Sequence, residues 1–279
     1  NVPAFEEAGY EPATTWDELM ALSDQIVADG KNAWCIGTGS DAATGWPATD
    51  WMEDIVLRQA GTEVYDGWVA GDVAFSSPEI TAAAETFGQV LFTEGYVFGG
   101  NENISSTDFR DAPDPMFNDD PPCYLHRQAN FITTFFPEGL TPTEDYNFFP
   151  FPSIDGQDGV LMAGELAVVF NNRAEVRDFL DAFSGVDAQC AQGGFEGISR
   201  ISPNTEVGSD CYNSELLGQA AGTLTEALAN DVARFDASDL MPPEVGGGSF
   251  WTGMNAYTDN GPDNLEQVLS DIDAAWPGG

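Results

Sequence analysis

Thr44-Gly45-Trp46-Pro47-Ala48-Thr49-Asp50-Trp51 marks the start of a helix whose neighbours declare an α/β chain. Pro47 suits a first helical turn, where its missing N–H would have no intrahelical partner anyway. Trp51, Ile55 and Leu57 carry the helix onward until Gly61 stops it. Upstream, Thr15-Trp16-Asp17-Glu18 reads as a capping box, with the Thr15 hydroxyl serving the third helical amide and Glu18 reaching back. Leu19, Leu22, Ile26 and Val27 then share one helix face, and Gly30 ends it. Between these two helices, Ala33-Trp34-Cys35-Ile36-Gly37 reads as a short buried strand.

The alternation continues downstream. Pro78 starts a helix through Phe87 and Leu91, and residues 93–121 are loop-rich around Gly99-Gly100 and Ser105-Ser106. Cys123-Tyr124-Leu125-His126 reads as a strand, followed by a short helix from Gln128 to Phe136. Tyr146 to Pro152 is expected as a proline-punctuated strand, Val160 to Phe170 as a further strand, and Arg173 to Phe183 as a helix. Gly193 to Asp210 is irregular, Ser214 to Ala229 is a long helix, and Pro262 opens a terminal helix to Trp276. Strands alternating with helices specify the α/β class.

Charge excludes several function classes. The chain has 47 acidic residues against 8 basic ones, a formal net charge of -39, and Lys31 is its sole lysine. Without a basic stripe there is nothing to displace counterions from phosphates, so no nucleic-acid partner is expected. Anionic lipid headgroups are excluded on the same ground. With 42% hydrophobic and 12% aromatic residues, the chain is nonetheless a folding one and not an acidic disordered tail. Self-repulsion of this size needs screening, and the Debye length falls from about 10 Å at 0.1 M salt to about 3 Å at 1 M. A salt-adapted protein with a hydrated carboxylate surface is therefore expected, in preference to an ordinary acidic secreted protein.

Cys35, Cys123, Cys190 and Cys211 show no paired metal-ligand spacing, and His126 is the lone histidine. Two disulfides formed in an oxidising, extracellular compartment are preferred over reduced, buried thiols. Of three connectivities, Cys190–Cys211 and Cys35–Cys123 are favoured: the first pair flanks one loop, and the second lies in two strand-like runs. No apolar run reaches the length of a membrane span. The chain begins at Asn1 and not at methionine, which suggests a processed or cut beginning.

Two tryptophans stand out as ligand walls. Trp46 sits at a helix start where backbone is open, and Trp251 in Ser249-Phe250-Trp251 follows Gly246-Gly247-Gly248. An indole stacks on the apolar face of a sugar ring while nearby polar groups bond its hydroxyls. Thr49 and Asp50, one turn beyond Trp46, are candidates for that role. The competing readings are core packing for the tryptophans and a helix-dipole contact for Asp50. No cofactor, metal or catalytic set is expected.

The order of motifs resembles the extracellular solute-binding proteins of sugar ABC transporters, relatives of maltose-binding protein. Phe5-Glu6-Glu7-Ala8-Gly9 followed by Pro12 to Leu19 is similar to a signature run of that family. Gly45 to Asp54 and Leu125-His126-Arg127-Gln128 resemble its alpha-glucoside branch. Gly193-Gly194-Phe195 with Ser202-Pro203-Asn204, and Asp239 to Trp251, are similar to later family segments. The resemblance implies a periplasmic-binding-protein-like two-lobe fold, with residues 1–150 and 204–279 in the second lobe and 151–203 crossing into the first. Most of the first lobe is then expected to be missing, because the opening motif normally lies well inside the chain. It implies a carbohydrate ligand, closure of two lobes around it, and delivery to a membrane permease by a monomeric, extracellular or periplasmic, membrane-tethered receptor.

On this resemblance Gln128, Asn130 and Phe131 join the ligand candidates, because they follow a strand end, where α/β folds place ligands. Arg127 is a ligand candidate and equally an ion-pair candidate. Gly164 and Glu165 are weaker candidates, near the crossing between lobes. A secreted glycoside hydrolase is the competing class, yet among 47 acidic residues a nearby carboxylate pair carries little information. A receptor for a non-sugar solute is the third reading, with phosphorylated ligands disfavoured by the shortage of Arg and Lys.

Overall fold

The computed structural model describes residues 1–277. In chain order the elements are α1 (Val2–Ala8), α2 (Trp16–Ala28), β1 (Asn32–Trp34), α3 (Trp46–Gln59), α4 (Thr62–Ala70), α5 (Pro78–Phe92), β2 (Cys123–Leu125) and β3 (Val160–Met162). There follow α6 (Ala174–Phe183), α7 (Val186–Gly193), α8 (Glu215–Ala229), β4 (Ala233–Phe235), α9 (Ala237–Leu240), α10 (Trp251–Asn260) and α11 (Leu265–Asp273). β1 pairs in parallel with β2, setting Asn32 opposite Cys123 and Trp34 opposite Leu125. β3 pairs in parallel with β4, from Val160 opposite Ala233 to Met162 opposite Phe235. Parallel pairs require long crossovers, which the helices supply.

α3 is the axis of the molecule. Every residue from Pro47 to Arg58 is buried, as expected of a helix packed on all sides. Trp51 lies edge-on to Trp34 at 5.1 Å and stacks on Phe87 of α5 at 5.4 Å. Trp68 of α4 meets Phe75 and Phe250 at 5.1 and 5.3 Å, tying the first third of the chain to its last. One buried cluster thus runs from Tyr10 to Ile154 and resumes from Ala237 to Ile272.

Local chemistry fixes the ends of these elements. The Thr15 capping box forms as expected at the start of α2. Both favoured disulfides are present: Cys35–Cys123 joins the segments that continue β1 and begin β2, and Cys190–Cys211 ties α7 to the loop before α8.

Three expectations need correction. The segment from Tyr146 to Pro152 forms no strand, because Pro150 and Pro152 lack the N–H groups a ladder needs. The strand from Val160 stops at Met162, where β4 ends, and the rest of the run to Phe170 finds no partner among the described residues. Helices α1, α4, α7 and α9 and strand β4 form where no element was expected.

The unpaired run is exposed: Leu166 is 79% and Phe170 97% accessible, with Val168 and Val169 also open. α6 beside it presents Val176, Phe179, Leu180 and Phe183 at helical spacing, yet buries none of its residues. Phe179 and Phe183 stack on one another at 5.5 Å and remain 61% and 41% accessible.

Candidate functional site

The two tryptophan-bearing turns meet through their backbones. Gly45 caps α3 with φ 116°, and a β-carbon there would lie 2.4 Å from the Trp251 carbonyl oxygen, so only glycine lets α3 and α10 approach this closely. Asn255 of α10 fastens the junction, donating from Nδ2 to the Thr44 carbonyl at 2.9 Å and pairing through Oδ1 with the Thr38 hydroxyl at 3.1 Å. Trp46 and Trp251 are both half-buried, neither sealed in the core nor fully exposed. The Trp46 ring rests edge-on against Phe109 at 5.0 Å and tilted against Phe131 at 5.9 Å. A β-carbon placed on Gly247 would lie 3.8 Å from the Trp251 ring, so the glycine run passes along one side of that indole.

A buried ionic network runs along α3. Arg127, just past β2, donates from Nη1 to Asp50 at 2.9 Å and from Nε to Asp54 at 2.8 Å, with a second, shorter contact to Asp54 from Nη2. Arg58 donates to Asp54 at 2.7 Å and to the Gly159 carbonyl at 2.6 Å. Glu53 accepts the Ala237 and Ser238 amides at 2.8 and 3.2 Å, drawing α9 onto α3. Asp236 caps α9 through the Asp239 amide and accepts the Ser238 hydroxyl at 2.8 Å. The Ser238 oxygen in turn accepts the Trp251 indole N–H at 3.4 Å. A hydrogen-bonded path therefore joins Trp251 through Ser238 to Asp236 and Glu53, whose carboxylate oxygens lie within 4.8 Å of that of Asp50.

Burial sets the protonation of these groups. The Asp50 carboxyl is pushed up to about 7, chiefly by loss of water, with Arg127 pulling it down and Asp236 pushing it further up. Burial, aided by Asp236 and Asp50, raises Glu53 well above the ordinary range against the two amides that favour its anion. Burial also acts to raise Asp54, but Arg127 and Arg58 outweigh it, and the net shift is downward. His126 is held neutral, pushed down to about 4 by burial. One ring nitrogen meets the Cys35 carbonyl at 2.7 Å and the other is buried without a partner. Asp50, Glu53 and Asp236 bring carboxylate oxygens within 4.8 Å of one another. Arg127, backbone amides and Ser238 already occupy much of that donor set, and it is burial, against those donors, that favours protons on Asp50 and Glu53.

The expected residues divide into two groups. Trp46, Thr49, Asp50, Arg127, Phe131 and Trp251 gather around the starts of α3 and α10. Thr49 is fully buried and spends its hydroxyl on the Trp46 carbonyl at 2.9 Å, so it fixes the backbone at Trp46. Arg127 forms buried ion pairs with Asp50 and Asp54. Gln128 accepts its neighbour's amide, from Ala129, and Asn130 bonds the Ser199 carbonyl. Glu165 stands apart on the exposed run, paired with Arg200 at 2.8 Å; Gly164 beside it is exposed too. The sequence reading missed Glu53, Asp54, Arg58, Phe109, Asp236 and Ser238. Helical spacing of Asp50, Glu53, Asp54 and Arg58 was a usable signal for one polar face; nothing local pointed to Asp236.

Among the described residues no helix is long and apolar enough to cross a membrane. An alpha-glucosides-binding periplasmic protein of Rhizobium meliloti is 40% identical over 279 residues, covering 98% of this chain and 59% of that protein. An osmoprotective compounds-binding protein of Synechocystis is 39% identical over 282 residues, covering 99% of this chain and 64% of its own. The chain thus spans less than two thirds of either relative. The solved structure of the bacterial solute receptor AcbH superposes with a TM-score of 0.75 at 15% identity, over 98% of this chain and 67% of that one, and establishes the shared fold. Residues 1–189 match the family described as bacterial extracellular solute-binding protein, and the chain belongs to that family.

Proposed function

We propose that this chain is the larger part of an extracellular receptor that binds a small carbohydrate, an alpha-glucoside or similar oligosaccharide, and delivers it to an ABC importer. The observation that carries the reading is the junction of α3 and α10. It brings the backbones that carry two half-buried tryptophans together, with the Asp50–Arg127 pair one helical turn along α3 from Trp46. Aromatic walls over a few fixed polar groups suit a sugar, whose faces are apolar and whose rim is hydroxylated. The relative named for alpha-glucosides, at 40% identity, supports the same ligand class. The test is a calorimetric screen of maltose, trehalose and sucrose in high salt. Saturable binding of one of them is expected, and no heat with any of the three would count against the reading.

The chain acts by binding and not by turnover, as a single copy facing a permease and tethered at the membrane. Chromogenic alpha-glucosides are therefore expected to remain intact on incubation. The unpartnered apolar face of Leu166, Phe170, Phe179 and Phe183 supports a division in which residues 151–203 belong to a lobe whose other part covers them. Exposed apolar patches of this kind usually mark a contact surface. The net charge of -39 supports adaptation to high salt, with the carboxylates forming a hydrated surface.

A further inference from the structure

We propose that Ser238, held in place by Asp236, is a positioning residue that fixes the orientation of the Trp251 indole. The consequence for ligand affinity rests on the carbohydrate reading above; the positioning itself does not.

Trp251 follows the six-residue turn Val245–Phe250, which contains three consecutive glycines. The turn is helical and runs directly into α10, and its glycines place no side chain beside the indole. The indole nitrogen is a donor only, and a serine hydroxyl has one proton and two acceptor sites. The Ser238 proton goes to Asp236 at 2.8 Å, so its lone pair faces the indole N–H at 3.4 Å. The direction of both bonds is thereby set. Ser238 itself has little room to move, being 6% exposed, with its amide held by Glu53. Its carbonyl lies against Gly246, where a β-carbon would come within 1.8 Å. The serine is thus held on both sides and offers the indole N–H a fixed anchor. A sugar face stacks only on a ring of the right tilt, so the anchor would select among tilts.

The test uses the full-length protein with Ser238→Ala, Trp251→Phe and the double variant. In the ligand-free protein, the Trp251 indole N–H resonance should shift in Ser238→Ala and exchange with solvent at least threefold faster. An unchanged resonance and rate overturn the proposal. In sugar titrations, Ser238→Ala should weaken binding about tenfold, roughly 1.4 kcal/mol, with the melting temperature nearly unchanged. Against Trp251→Phe, which keeps a ring but lacks the N–H, the same change should cost less than twofold. An equal loss in both backgrounds means Ser238 acts on something other than Trp251 and overturns the proposal. A moved indole resonance in a protein that binds none of the sugars upholds the positioning and rejects the carbohydrate reading.

Discussion

Replacing Arg127 with methionine removes the cation that two buried carboxylates share. The Arg127 side chain is 11% exposed, and its partners Asp50 and Asp54 are 9% and 7% exposed. Breaking a buried pair costs ~3–5 kcal/mol, because the charge left behind has neither water nor partner. Asp54 keeps Arg58 at 2.7 Å, which places the loss near the lower end. At ~2–4 °C per kcal/mol for chains of roughly this size, the melting temperature should fall by roughly 6–12 °C. The deficit should also depend on pH. Asp54 lies below its ordinary value in the parent, so its contribution is present at neutral pH and lost on acidification. Without Arg127, burial raises Asp54 and lifts Asp50 above its present value of about 7. A carboxyl with a raised folded value favours the fold below its unfolded value and loses that advantage as pH rises. The variant should therefore be closer to the parent at pH 5 than at pH 8, by calorimetry at both. A deficit below about 1 kcal/mol, the scale of a surface pair, or one equal at the two pH values, would refute the reasoning.

Removing the Cys35–Cys123 bridge, which closes an 88-residue separation, should cost about 4–5 kcal/mol on the chain-entropy estimate; removing Cys190–Cys211, separated by 21, should cost about 3. Urea unfolding of the two double-alanine variants decides it, and the reverse order would contradict the estimate. His126 is depressed to about 4, so the unfolded chain takes up its proton first and the parent loses stability as pH drops from about 6.5 towards 4. His126→Gln should flatten that loss relative to the parent, and parallel urea midpoints between pH 7 and pH 4.5 would contradict the assignment. Raising sodium chloride from about 0.1 M to about 2 M should raise the melting temperature as screening relieves self-repulsion; a flat salt series would end the case for salt adaptation.

What was legible in the sequence was what short-range chemistry dictates. Thr15 and Glu18 announce their helix because the hydroxyl, the carboxylate and the two amides they satisfy lie within one turn. Pro47 and Pro78 mark helix starts for the same local reason, and Gly30 and Gly61 mark ends to within two residues. The strand after Val160 was over-extended because an apolar run reads the same whether or not a neighbour exists; only β4, more than 70 residues away, decides where pairing stops. In the site, Trp46, Asp50, Arg127 and Trp251 could be named individually. Their connection could not, because it runs through Glu53 and Asp236, two carboxylates among 47 whose burial depends on α9 folding onto α3.

The central claim is that a sugar stacks on Trp46 at the junction of α3 and α10. The direct measurement is calorimetric titration of parent and Trp46→Ala, in high salt, with whichever of maltose, trehalose or sucrose binds the parent. Loss of the aromatic wall should weaken affinity by tenfold or more while both proteins melt cooperatively. Equal affinity in the two would place the ligand elsewhere and contradict the account.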